Sequence, residues 1–360
     1  MLTPYTPLRI GILGAANIAR LFTRDVRGSA DVEVVAVASR TEVTAARFAA
    51  ETGIARHHAS YEALLADPTV DIIYIPLPNS LHAPWAMAAA AAGKHVLCEK
   101  PLTLSAAEAR AMFEAARRHG VMLLEAYPYW FQPQTGAMLE LLREGAIGQP
   151  RFVQASFGFT VPNPASNIRL DPALGGGALL DAGSYPLSLI RLVMGDAPQR
   201  VSAEADWADS GVDIAMLGSL QWADGRRAQM ACSMAQGVNR QATIVGSAGT
   251  LTTEFLNHAH DGECAGSGAG EGENPFGFLP SLMRLRRGVP GTVPFKTIHS
   301  PGGSGFRFAA EAFARVIREQ DHAAIERAAS ASIDIAAMLE ALALSARLGR
   351  AVGLEELGAA

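Results

Sequence analysis

Cysteine is scarce: the 360-residue chain has three, Cys98, Cys232 and Cys264, far apart and without a Cys-x-x-Cys pair. That spacing excludes a disulfide framework and a thiolate metal site, and it predicts reduced thiols in a cytoplasmic protein with no resident metal. An excess of positive charge is lacking too. Thirty basic residues stand against 35 acidic ones, a formal charge of −5, and the basic ones are scattered, which argues against nucleic acid as a partner. No basic leader precedes an apolar run at the N-terminus, and the first apolar segment is broken by Gly11 and Gly14. Neither a signal peptide nor a membrane span is expected. Charged residues make up only 18% of the chain and hydrophobic ones 49%, enough at this length for two cores that need no covalent staples. Internal repeats are absent.

What is present is an alternation. Leu8–Leu13 and Val32–Ala38 are nearly continuous apolar runs, as strands buried on both faces of a parallel sheet should be. Further strands over 72–75, 95–98 and 121–125 alternate with helices over 17–26, 44–52, 61–66, 83–92 and 106–119. Strict alternation of this kind predicts a doubly wound parallel sheet. After Ala126 the pattern changes. One helix over 138–144 is followed by half-alternating segments over 152–159, 199–205, 215–222, 227–233 and 242–245, which predict a large, mainly antiparallel sheet. The expected fold is therefore α/β: a nucleotide-binding domain over 1–125, then an α+β domain over 126–360 with an open sheet. The Gly-rich stretch 257–305 reads as a long loop, and helices are expected over 308–319 and 329–349.

The first strand runs into Gly14-Ala15-Ala16-Asn17-Ile18-Ala19. A tight turn there lets backbone N–H groups and a helix N-terminus meet a pyrophosphate, although alanines stand where further glycines are usual; an ordinary strand-to-helix turn is the alternative. The second strand ends in Ser39-Arg40 with no acid at its tip. A ribose 2′-hydroxyl calls for a carboxylate there and a 2′-phosphate for a cation, so NADP is expected over NAD. Tyr61 either reaches that phosphate or only packs its helix.

Three strand ends should line the crevice of such a sheet: Ala15 to Ile18, Pro76-Leu77-Pro78-Asn79, and Glu99-Lys100-Pro101. A lysine beside a nicotinamide can hold a substrate hydroxyl and stabilise an alkoxide, whereas a Glu99–Lys100 surface pair would do nothing. Farther on stands Gly175-Gly176-Gly177-Ala178-Leu179-Leu180-Asp181-Ala182-Gly183-Ser184-Tyr185-Pro186. On a helix, Asp181 and Tyr185 would share a face, a carboxylate and a phenol directed at a lysine. Tyrosine needs a nearby ammonium to act as a base at neutral pH. The competing reading makes Asp181 a helix cap and Tyr185 core.

These stretches, with Ser60-Tyr61-Glu62-Ala63-Leu64-Leu65, Pro78-Asn79-Ser80-Leu81-His82 and Gly93-Lys94-His95-Val96-Leu97-Cys98-Glu99-Lys100-Pro101, resemble the glucose-fructose oxidoreductase and inositol dehydrogenase family, Gfo/Idh/MocA, over nearly the whole chain. The resemblance implies a Rossmann domain carrying NAD(P) on Gly14, Ala15, Ala16, Asn17, Ile18, Ser39, Arg40, Leu77, Asn79, His82, Glu99 and Lys100. It implies a second domain that binds substrate and forms homodimers or homotetramers. Lys100 matches the active-site lysine, Asp181 the aspartate that orients it, and Tyr185 the His-or-Tyr proton carrier. Tyrosine at that position resembles the branch holding glucose-fructose oxidoreductase, NADP-dependent xylose dehydrogenase, dihydrodiol dehydrogenase and aldose-aldose oxidoreductase. The Lys100-Pro101 bond is often cis in relatives. Trp130 and Gln132 depart from the Arg and His common there, which favours a neutral sugar; Trp130 is either a wall for that ring or core. Asn167 and Arg169 are further substrate candidates, with Arg169 alternatively tied to Asp171 or Asp181. His82 either edges the nicotinamide or is structural.

The expected function is thus NADP-dependent hydride transfer at a CH–OH group of a neutral sugar, with no nucleic acid or membrane partner. A trans-dihydrodiol dehydrogenase, an aldose-aldose oxidoreductase with retained NADP, and a non-catalytic nucleotide- and sugar-binding regulator are the alternatives.

Overall fold

The computed structural model describes residues 6–162, 167–260 and 279–357. It divides into two compact units. The first comprises Met1–Thr103, Ala107–Tyr127 and Phe306–Ser332; the second comprises Leu104–Ala106, Pro128–Gly305 and Ile333–Ala360. Residues 306–332, placed in the second domain on sequence grounds, thus cluster with the first unit.

In the first unit the strands are β1 (Leu8–Leu13), β2 (Val32–Ala38), β3 (Arg56–His58), β4 (Ile72–Ile75), β5 (His95–Glu99) and β6 (Leu123–Ala126). Between them run α1 (Asn17–Val26), α2 (Glu42–Thr52), α3 (Tyr61–Leu65), α4 (His82–Ala91) and α5 (Ala106–Arg118). All pairings are parallel, in the order β3-β2-β1-β4-β5-β6. The order reverses between β1 and β4, and ligands of such sheets bind at the strand ends beside that reversal. Burial explains the run-on apolar strands, for β4 is buried at every residue. Phe22 of α1 stacks on Tyr74 of β4 with ring centroids 4.0 Å apart. The short β3 is not evident in the sequence because Arg-His-His carries no apolar signal.

The second unit continues with α6 (Pro133–Arg143), β7 (Pro150–Thr160), α7 (Ser184–Met194), β8 (Arg200–Trp207), β9 (Asp213–Gln221), β10 (Arg227–Ser233), β11 (Ala235–Gly246) and β12 (Gly249–Glu254). Then come β13 (His258–His260), β14 (Leu279–Pro280), β15 (Leu282–Arg287), β16 (Lys296–His299) and β17 (Gly303–Ser304). Helices α8 (Gly305–Glu319) and α9 (His322–Leu348) and strand β18 (Val352–Gly353) end the chain. A nine-stranded sheet has the order β16-β15-β12-β11-β7-β10-β9-β8-β18, antiparallel apart from the β7·β10 pair.

Residues 257–305 correct the expectation of a plain loop. Their described part supplies β15 and β16 to the large sheet and β13, β14 and β17 to a small one. In β15 the buried Met283 and Leu285 alternate with the exposed Arg284, a half-buried pattern masked in sequence by its arginines. Residues 261–278, including Cys264, lie outside the described residues. Helix α9 starts at His322, not at 329. It is long and apolar enough by composition to cross a bilayer. Packing accounts for that apolarity, since Ile335, Met338, Leu339, Ala341 and Leu342 are all buried.

Candidate active site

At the end of β1, Gly14 has φ +124°, a region that favours glycine, and a Cβ there would lie 2.8 Å from Leu77 Cδ2. Ala16 occupies the N-cap of α1 and offers no side-chain acceptor; the Ala19 N–H donates to the Ala16 carbonyl at 3.1 Å, which leaves the N–H groups of Asn17 and Ile18 for an anion. Gly11 has a different reason: it lies within β1, and a Cβ would strike Leu64 of α3 at 2.9 Å. Ser39 is buried at the end of β2, and Arg40 is exposed. Burial raises the Tyr61 phenol above its ordinary pKa while the Arg40 guanidinium pulls it down, which places this cation within electrostatic reach of Tyr61. Glu42 opens α2 behind the Thr41 cap, whose hydroxyl accepts from the Thr44 N–H. A turn that only glycine fits, an uncapped helix start and a cation without an acid at the tip of β2 suit a dinucleotide with a 2′-phosphate.

The second feature of this unit is the segment around Lys100. Glu99 ends β5 buried and accepts a 2.7 Å hydrogen bond from the Tyr74 hydroxyl. The Lys100-Pro101 peptide is cis. His82, at the start of α4, lies with Nδ1 2.9 Å from the Pro101 carbonyl and Nε2 2.8 Å from the Leu77 carbonyl, so one buried imidazole spans two strand-end loops. Burial pushes its pKa down, against the pull of those two carbonyls. Next, the Leu102 N–H donates to Glu125 Oε1 at 2.8 Å. Glu125 is fully buried, and desolvation pushes it up to about 7, against the stabilising Ser332 hydroxyl, Leu102 N–H, Tyr127 hydroxyl and Lys100 charge. The lysine therefore sits on a loop held by three buried polar side chains.

In the second unit the glycine run has a steric origin. Gly177 has φ +124°, and a Cβ would meet Asp213 Oδ1 at 2.3 Å. Asp213 comes that close because its other oxygen accepts the Leu179 N–H at 2.6 Å, which starts a π-helical turn over Leu179–Gly183. Asp181 lies in that turn, not in the α-helix the spacing suggested. π turns are uncommon and frequent at functional sites. Helix α7 begins directly after it, with Pro186 tolerated in its first turn. Of the two carboxylates open to Arg169, Asp171 and Asp181, the guanidinium takes the second: Arg169 Nε donates to Asp181 Oδ2. Asn167 caps its own short turn by accepting the Arg169 N–H at 3.1 Å, and its amide donates to Pro162.

Tyr185 is 5% exposed. Its ring stacks on Phe157 at 4.3 Å and 12°, with Tyr129 and Phe255 completing the enclosure. Asn257 Nδ2 donates to its hydroxyl at 2.8 Å. Trp130 is half-buried and its indole N–H donates to Tyr129 at 2.8 Å, while the Tyr129 and Ser188 hydroxyls share a 2.6 Å bond. Gln132 is buried and donates to the carbonyls of Asn257 and Gly303. Glu125, Asp213 and Asn257 contact the segments that carry the candidate residues, and no sequence motif marks them. A lone carboxylate in the apolar run Val-Met-Leu-Leu-Glu-Ala is a usable signal for the first; the other two have partners too distant in sequence to announce themselves. Among the described residues no cluster of His, Cys, Asp and Glu could hold a metal ion.

A doubly wound sheet with a nucleotide turn, followed by a large open sheet, defines a two-domain oxidoreductase. Residues 8–127 match the GFO_IDH_MocA oxidoreductase family with its NAD-binding Rossmann fold, and residues 136–252 match the GFO/IDH/MocA C-terminal domain. The chain belongs to this family. It is 35% identical to D-xylose 1-dehydrogenase (NADP(+)) 2 of Haloferax volcanii over 97% of this chain and 100% of that protein. KijD10, a 3-ketoreductase from Actinomadura kijaniata solved with NADP and TDP-benzene, superposes with a TM-score of 0.80 and 29% identity, covering 94% of this chain and 98% of that one. Aldose-aldose oxidoreductase from Caulobacter crescentus, solved with glycerol, gives 0.81 and 26% identity over 96% and 99%.

Proposed function

We propose that the protein is a cytoplasmic, NADP-dependent oxidoreductase that moves hydride between the nicotinamide and a carbinol carbon of a neutral sugar. The observation that carries this reading is the end of β2, where Ser39 and Arg40 follow the strand with no acid at its tip and Arg40 acts electrostatically on Tyr61, in a chain aligned end to end with an NADP-linked xylose dehydrogenase.

NADP, when bound, supplies the hydride acceptor or donor. The first-turn N–H groups of α1 would hold its pyrophosphate, and Arg40 with Ser39 its 2′-phosphate. Lys100 hydrogen-bonds the reacting hydroxyl and stabilises negative charge on that oxygen. Asp181 orients the lysine. Tyr185 gives its proton to the oxygen in reduction and takes it back in oxidation. The rival assignment, with Lys100 as proton carrier, is favoured if Tyr185→Phe retains much of the turnover; the proposed one requires a loss of about a hundredfold or more. Trp130, rigid through its indole bond, offers the flat apolar surface that a pyranose face packs on.

The reading also makes the protein a homodimer or homotetramer. On the large sheet, Gln154, Ser156, Gln229, Ala231, Gln241 and Thr243 pair side by side on one face, and Leu217 is 57% exposed opposite Ala231. An uncharged central patch with an exposed leucine suits a self-complementary interface.

The deciding experiment follows absorbance at 340 nm with NADP, then NAD, against aldoses, a trans-dihydrodiol and a nucleotide-linked keto sugar. Turnover of a neutral aldose with NADP supports the proposal. Sugar-to-sugar exchange without free cofactor would favour retained NADP, and silence across the panel would favour a regulator.

A further inference from the structure

Asn257 belongs to no motif, yet its main chain is held in place next to Tyr185. Its carbonyl accepts from two directions, the Gly305 N–H at 2.8 Å and Gln132 Nε2 at 3.1 Å. Gly305 comes that close because it has no side chain: a Cβ would lie 2.3 Å from the Pro128 carbonyl oxygen and 3.0 Å from that of Asn257. Gln132 is 2% exposed and its second N–H contact goes to Gly303, so it cannot swing away. The backbone of Asn257 is thereby pinned, and its side-chain Nδ2 donates to the Tyr185 hydroxyl at 2.8 Å.

An amide nitrogen only donates, so Tyr185 Oη is the acceptor in this bond and its own O–H must point elsewhere. The phenol ring cannot turn to compensate, being stacked on Phe157 and flanked by Tyr129 and Phe255. Two further groups bear on the same oxygen. The guanidinium groups of Arg169 and of the buried Arg240 both interact electrostatically with Tyr185. Donor and cations all favour negative charge on Oη.

We infer that Asn257 is a positioning residue for Tyr185, its amide turning the phenolic proton toward the substrate oxygen and holding the phenolate that remains after transfer. This rests on Tyr185 being the proton carrier. In the reductive direction a hydride bonds to the carbonyl carbon, the C=O π pair becomes the alkoxide, and the Tyr185 proton neutralises it. The phenolate left behind accepts the Asn257 N–H until solvent returns a proton. Gln132 acts one step farther back by fixing the Asn257 carbonyl.

The test uses the full-length enzyme with NADP and its best sugar. Asn257→Leu keeps the volume and removes the donor; Asn257→Asp keeps the shape and sets a carboxylate against Oη. Loss of one donor to a developing anion should lower kcat by about tenfold to a hundredfold. KM for NADP should stay within about twofold, because nucleotide binding does not depend on this bond. In the oxidative direction the rise of kcat with pH should move to higher pH in Asn257→Leu and farther in Asn257→Asp. Placed in a Tyr185→Phe background, Asn257→Leu should cost nothing more. A purely structural asparagine would give the opposite: an unmoved pH profile and losses that add to those of Tyr185→Phe. Full activity in Asn257→Asp would also overturn the inference. If Tyr185→Phe itself retains turnover, the proton-carrier reading fails instead, so the two failures are distinct.

Discussion

The Nδ1 atom of His82 lies 2.9 Å from the carbonyl oxygen of Pro101, while Nε2 of the same ring lies 2.8 Å from that of Leu77. Leu77 follows β4 and Pro101 follows β5, so a single side chain from α4 ties together two of the loops expected to face the nicotinamide. The contact bears on the proposed site, because Lys100 immediately precedes the carbonyl that the imidazole meets. His82→Ala leaves the buried Pro101 carbonyl and the part-buried Leu77 carbonyl without this neighbour and opens a cavity. The expected cost is about 2–3 kcal/mol of stability together with about a tenfold fall in kcat. Urea unfolding and steady-state rates at saturating cofactor measure the two separately. Lost stability at unchanged kcat would mean that the imidazole supports the fold without setting the lysine.

Glu125 supplies the next constraint. Its folded pKa, pushed up to about 7 by burial, lies above the unfolded 4.5, so the native state keeps the proton over that window while the unfolded chain releases it. Stability must therefore fall as pH rises from about 4.5 to about 7, and the penalty is complete above that. It amounts to at most about 3 kcal/mol. Glu125→Gln retains an acceptor for the Leu102 N–H and cannot ionise. Wild type and variant should unfold at the same urea midpoint at about pH 4.5, with the variant ahead at about pH 8. A gap that does not change with pH would contradict the assignment.

The cofactor preference tests a smaller charge relationship. Arg40 is exposed and close enough to Tyr61 to oppose the effect of burial on that phenol. Arg40→Ala should raise KM for NADP by about tenfold or more and leave KM for NAD nearly unchanged, since only the former carries the phosphate that a guanidinium grips. Adding Ser39→Asp should invert the preference by offering a carboxylate to the 2′-hydroxyl. Initial rates with both cofactors decide it; equal effects on the two would remove Arg40 from the phosphate site.

How much of the molecule is legible in its sequence depends on the range of the interaction. Strands β1, β2, β4, β5 and β6 are readable because burial on both faces turns each into a continuous apolar run. β15 is not, because Arg284, Arg286 and Arg287 dominate a strand of which only Met283 and Leu285 are fully buried. The first half of β11, Ala235 to Arg240, is mostly exposed and reads as loop. Lys100, Asp181 and Tyr185 stand out as unusual residues at strand and turn ends. The residues that hold them do not, since the Asn257 bond spans 72 positions and the Leu179–Asp213 bond 34. The π turn is equally hidden, being imposed by that distant carboxylate and by the absence of a side chain at Gly177.

The open sheet provides the last prediction. Leu217 is 57% exposed, and its neighbours across β10 and β7, Ala231 and Ser156, are small and uncharged. If this patch is covered by a second copy of the chain, an ammonium in its centre loses hydration without gaining a partner on the other subunit. Within one chain the same ammonium has a neighbour, because Glu204 lies opposite Leu217 in the β8·β9 register. Leu217→Lys should therefore fold normally and fail to assemble. Light scattering coupled to size exclusion should give an oligomer for wild type and a monomer for the variant, at matched unfolding midpoints. A variant that remains oligomeric would place the interface on another surface, and a monomeric wild type would remove the expectation of assembly altogether.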